Sequence, residues 1–158
     1  MTYCIEGLAP DRFSALFALD EEALWERGGR RVTAASDSGY PCRVSLEEAR
    51  TGEELILFNH VSHDVLTPFR TAYAIYVRKD ASEPARFEDS IPPVLATRTL
   101  SLRGFDAGGM LQAALLAVPG ETDPRIRELL ADPAVATIHA HSATYGCFLA
   151  CIERSGIC

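Results

Sequence analysis

Two apolar runs, residues 54–58 (ELILF) and 72–77 (AYAIYV), constrain this chain more than anything else in it. Both are rich in branched and aromatic side chains, which favour extended backbone. Nearly continuous apolar runs of this kind suit strands covered on both faces. They predict a sheet with Leu55, Leu57, Ile75 and Val77 in its core. Between them, residues 59–70 carry Asn59, His60, His63, Asp64 and Pro68, and read as a loop leaving the end of a central strand.

The flanking sequence supplies short helices and further strands. Phe13, Leu16 and Phe17 recur at helical spacing behind Pro10, and Asp20 can cap a second helix carrying Leu24 and Trp25 before Gly28-Gly29 ends it. These two helical pieces come before any expected strand, the first being residues 30–35, followed by a turn at 36–39. Cys42 to Val44 is a short extended piece. Ser45 with Glu48 spells a capping box, and Gly52 a stop, which predicts a short helix over 46–51. Residues 80–93 read as a surface connection, 97–105 and 110–118 as two strands joined by a turn, and Asp123-Pro124 as the head of a helix bearing Ile126, Leu129 and Leu130. Residues 134–141 and 147–153 form a terminal hairpin. The expected class is α+β, a single domain over 1–158 with an antiparallel or mixed β-sheet and short helices at its ends or on one face.

Composition narrows the function classes. The net charge of −7 leaves no basic field for nucleic acid or an anionic membrane surface, so neither is an expected partner. No stretch reaches the roughly eighteen apolar residues of a membrane span. The start of the chain carries Glu6 where a signal peptide needs a basic start and an apolar run, so a cytoplasmic location is expected. Cys4, Cys42, Cys147, Cys151 and Cys158 are then expected to be free thiols, because an odd count leaves one over in any pairing.

All four histidines fall in two tight pairs, His60 with His63 and His139 with His141. On a strand, His139 and His141 at i, i+2 point to one face. His60 and His63 would oppose each other in extended chain. Both pairs lie at expected strand ends, where sites are built, and the pairs are expected to converge with Arg70 or Arg103 at the rim. Cys42 and Arg43 follow a rigid Gly-Tyr-Pro turn, and Cys147 follows Gly146 in the terminal hairpin. A thiol beside an imidazole can become a nucleophile. Pairing His141 with Cys147 would put them on one face; a slip of one residue would separate them.

Several of these pieces together resemble the bacterial domain-of-unknown-function family 1203. The matching stretches are 39–43 (GYPCR), 52–54 leading to Asn59 and His63, 67–70 (TPFR) with 74–78 (AIYVR), 101–103 (SLR) with Asp106, and 138–141 (IHAH) with Gly146-Cys147. The family pattern has asparagine after the last histidine, where this chain has Ser142. The resemblance implies a small bacterial protein with no assigned activity.

Three readings stay open. In the first, His139, His141, His63 and Cys147 carry catalysis, and Asn59, His60, Arg70, Arg103, Asp106, Cys42 and Arg43 bind an anionic small molecule. In the second, His60, His63, His139 and His141 hold a divalent, zinc-like metal, although no H-E-x-x-H or C-x-x-C signature is present. In the third, these polar residues only satisfy one another in a non-enzymatic interaction or structural domain. The sequence leaves enzyme status, substrate and oligomeric state open.

Overall fold

The computed structural model describes residues 2–156. The first half of the chain runs β1 (Tyr3–Glu6), α1 (Asp11–Phe17), α2 (Glu21–Glu26), β2 (Gly29–Thr33), β3 (Glu54–His63) and β4 (Thr71–Arg78). The second half runs β5 (Arg86–Glu88), α3 (Pro93–Ala96), β6 (Leu100–Phe105), β7 (Leu111–Ala117), α4 (Thr122–Leu130), β8 (Thr137–Ser142) and β9 (Phe148–Arg154). Asp20 caps α2 as its residue type demands, its carboxylate accepting the Ala23 N–H at 2.8 Å.

The strands form two antiparallel sheets, a six-stranded one ordered β5-β1-β9-β8-β6-β7 and a three-stranded one ordered β2-β3-β4. Alternation divides each sheet into faces. In the larger sheet Leu100, Leu102, Ile138, Ala140, Ala150 and Ile152 share a buried cluster with Val94 and Leu95 of α3 and Ile126, Leu129 and Leu130 of α4. Burying each such leucine or isoleucine stabilises the fold by roughly 1.5–3 kcal/mol. The same alternation leaves His139, His141, Ser101, Arg103 and Cys151 on the opposite face, paired across the strands as Ser101 with His141, Arg103 with His139 and His139 with Cys151. In the smaller sheet Ile56, Ile75 and Val77 pack under Phe13, Leu16 and Leu24 of the two N-terminal helices.

The segment around Arg43 ties the sheets together. Arg43 N–H donates to the Tyr76 carbonyl on β4 at 3.0 Å, while the Arg43 carbonyl accepts the Leu8 N–H at 2.7 Å. Only glycine fits beside it: a Cβ on Gly7 would lie 1.9 Å from the Val44 carbonyl oxygen.

The structure corrects the expected elements at several points. A strand, β1, precedes the helices; Tyr3, Cys4 and Ile5 are fully buried there because β5 and β9 flank them, a burial that four residues cannot announce by periodicity. Residues 59–63 continue β3 instead of forming a loop, since pairing with β4 extends to His63 with Thr71 and half-exposed polar side chains are compatible with it. No helix forms over 46–51: the Glu48 carboxylate takes the Tyr40 N–H at 2.9 Å and pairs with Arg98, so it is not free to complete a capping box. Asp123 sits inside the first turn of α4, not at its cap, with its carboxylate taken by the Tyr3 hydroxyl at 2.7 Å and by Arg127. Leu57 is half-buried, on the opposite face from Ile56.

The expectation of five free thiols is also corrected. Cys4 is disulfide-bonded, whereas Cys42, Cys147 and Cys151 are free. An odd count forbids complete pairing but not a pair. Cys158 lies outside the described residues. Among the described residues no helix is long and apolar enough to cross a membrane.

Candidate functional site

A β-bulge decides where the first histidine pair points. His60 is opposite Tyr73, Val61 opposite Ala72 and His63 opposite Thr71, so Ser62 is the extra residue and His60 and His63 share a face despite their spacing. They reach different neighbours. The His60 ring stands 5.7 Å from Phe13 of α1. The His63 ring lies 4.1 Å from Phe105 and 4.9 Å from His139. The expected convergence is therefore made by His63, with His139 and His141 stacked 6.3 Å apart and Phe148 edge-on to both.

These three rings are buried, at 7%, 6% and 1% exposure for His63, His139 and His141. Burial favours the neutral ring. It pushes His139 down to about 3, aided by the neighbouring His63, and His141 down to about 4. Burial, and then Arg12, also lowers His60. His63 Nε2 is 3.0 Å from the Gly109 carbonyl, and His141 Nδ1 is 2.9 Å from the Gly146 carbonyl. A carbonyl only accepts, so each of these ring nitrogens carries the proton. His139 Nδ1 has no partner among the described residues. Among those residues no three histidine, cysteine or acidic side chains are placed to hold a metal ion. The cluster is a seam of stacked and edge-on aromatic rings joining β3 to the large sheet.

The other residues singled out by sequence separate. Arg103 Nε donates to Ser101 Oγ at 3.3 Å, and its charge helps to depress both His139 and His141. Arg70 pairs on the surface with Asp64 at 3.0 Å. Asp106 closes the β6–β7 turn: its carboxylate accepts the N–H groups of Gly108 and Met110 and the Gln112 amide, which together hold it below the usual carboxylate range. Asn59 is exposed beside Trp25. Cys42 is fully buried in the apolar core under α1, its sulfur accepting the Arg78 N–H at 3.4 Å.

Arg43 and Cys147 come together across more than a hundred residues of sequence. Alternation about Cys42 and Val44, which face the core, sends the Arg43 side chain the other way. Its Nε donates to the Phe148 carbonyl at 2.8 Å, Nη1 to the Pro41 carbonyl and Nη2 to Cys147 Sγ at 3.2 Å. The residue is 2% exposed. Among the described residues no carboxylate pairs with it, and burial pushes its guanidinium below its ordinary value. An arginine keeps its proton in a protein, so this is a buried cation without a counter-charge among the described residues, a situation that costs several kcal/mol.

Arg43 and Cys147 form part of the wall of a cavity of about 320 Å³, which Leu57, Tyr76, Arg98 and Tyr145 also line. Arg98 is committed to Glu48. None of the four histidines lines this cavity. The terminal hairpin explains why: His141 pairs with Phe148, so Phe148 stands beside the histidines and Cys147 is turned to Arg43. Tyr76 and Tyr145 escape a sequence reading, although a tyrosine within the apolar run of β4 and another two residues before Cys147 are the signals that mark them. A protein-family model described as a protein of unknown function, DUF1203, matches residues 39–154. The chain belongs to that family. The matched stretch contains every residue that lines the cavity, from Gly39 to Leu149. No curated protein and no solved structure matches the chain.

Proposed function

We propose that this chain binds a small anionic molecule in the cavity between β4 and the β8–β9 hairpin, with Arg43 taking the anionic group. The observation that carries the reading is the buried guanidinium: Arg43 spends donors on two carbonyls and a thiol, yet no described carboxylate neutralises it. A carboxylate or phosphate oxygen would supply the missing charge and accept N–H groups in the planar geometry that a guanidinium offers. Tyr76 and Leu57 give the apolar wall, and Tyr145, 74% exposed, stands at the rim. A concave, mostly apolar site with one convergent polar group is the usual form of a small-molecule pocket.

The histidine cluster enters this reading as support for the site. His141 holds the Gly146 carbonyl, which fixes the turn immediately before Cys147. The test is thermal unfolding against a panel of small mono- and dicarboxylates, phosphate and sulfate. A ligand at a hundred times its Kd stabilises by about 2.7 kcal/mol. Ala74→Leu, which adds bulk to the cavity wall without touching the fork, is expected to abolish the shift. A panel that stabilises neither protein, or both equally, contradicts the proposal.

A further inference from the structure

We infer that Cys147 is a nucleophile in this cavity, attacking an electrophilic carbon next to the anionic group that Arg43 holds. The inference rests on the anion-binding reading of the same cavity and names the class of molecule that would occupy it. Two independent observations meet here. Cys147 is half-buried and lines the cavity, and the buried guanidinium, which no carboxylate among the described residues pairs with, donates to its sulfur at 3.2 Å.

The other described thiols are unsuited to the role. Cys42 is sealed in the apolar core. Cys151 is pushed up to about 11 by burial, and its sulfur lies 3.1 Å from Thr137 Oγ1. Cysteine chemistry runs through the anionic sulfur, and a neighbouring guanidinium is the partner that suits it. In the step proposed, the sulfur's electron pair forms an S–C bond and the carbon–leaving-group bond breaks with its pair going to the leaving group. The thiol proton passes to water. The guanidinium that touched sulfur is then within reach of a carboxylate attached to the carbon under attack, so one residue serves both the nucleophile and the anion.

Iodoacetate and iodoacetamide separate the two halves of this inference, because they deliver the same carbon and the same iodide leaving group with and without a negative charge. The rate of alkylation at Cys147 in the full chain would be followed by peptide mass spectrometry, with glutathione as the reference thiol. The iodoacetate-to-iodoacetamide rate ratio at Cys147 is expected to exceed that of glutathione by about tenfold, the factor carried by one charge-assisted contact. Inorganic phosphate should slow iodoacetate selectively, and Arg43→Gln, if folded by circular dichroism, should return the ratio to the glutathione value. The phosphate arm needs no variant and so stands even where Arg43→Gln does not fold. Alkylation of Cys147 no faster than that of Cys151 with either reagent overturns the nucleophile and leaves anion binding standing. A ratio equal to that of glutathione, unaffected by phosphate, overturns the anion-holding step itself.

Discussion

Acid should destabilise this fold well above the range in which carboxylates titrate, and His139 is the place to see it. Its ordinary value of 6.5 falls to about 3 in the native state, and that of His141 to about 4. As pH drops below 6.5 the unfolded chain gains protons that the native rings refuse, so stability is lost from there down to the native values and levels off beneath them. At pH 5 each ring accounts for about 2 kcal/mol, or about 4 kcal/mol for the two together. The carboxylates held low by their partners, Asp37, Asp106 and Asp123, act in a different window, since their stabilisation is lost only as pH falls below the ordinary value of 3.8. His139→Leu isolates the effect because its Nδ1 has no partner among the described residues to lose. Urea unfolding at pH 7 and pH 5 would be followed by far-ultraviolet circular dichroism, since Trp25 is 66% exposed and reports little of the core. The variant should lose about 2 kcal/mol less than the parent between the two pH values. Equal losses in both proteins would refute the neutral, buried state of His139.

Two substitutions test the frame around the site. Gly7→Ala drives a Cβ into the Val44 carbonyl, a backbone atom that cannot step aside, and should cost about 3–5 kcal/mol or prevent folding, as read by urea unfolding or soluble yield. Tyr3→Phe removes the hydroxyl bond to Asp123 and should cost about 1–2 kcal/mol at pH 7, with no change in the alkylation of Cys147; a neutral result would contradict a stabilising role for that bond.

What the sequence made legible depended on how local the determining physics was. The β3–β4 runs, the β6–β7 meander, α4 and the terminal hairpin carry their own periodicity and turn residues, and the structure holds all of them. Leu55, Ile75 and Val77 are buried as expected, but Leu57 lines the cavity, because the face of β3 opposite the helices is only partly covered. β1 and the absent helix over 46–51 were hidden for the same reason: distant partners, β9 in one case and Arg98 in the other, override local signals. The histidine pairs drew the eye by composition, and His63 does meet His139. Yet clustering on a strand face is equally what an aromatic core seam requires. Arg43 and Cys147 were each visible as residues of interest, but their contact spans more than a hundred positions and depends on a hairpin register that sequence does not specify.

The Arg43 guanidinium itself offers the most direct test of the central claim. Its Nε–H is buried and bonded to the Phe148 carbonyl, so its nitrogen-proton resonance should be resolved from those of the exposed arginines in a heteronuclear spectrum. Titration with small carboxylates and phosphate should move that resonance, together with the backbone amides of Tyr76 and Cys147, saturably and at one common affinity. If every anion in the panel leaves Arg43 unmoved, or if the shifts centre on Arg103 and Ser101, the cavity is not an anion site and the account fails.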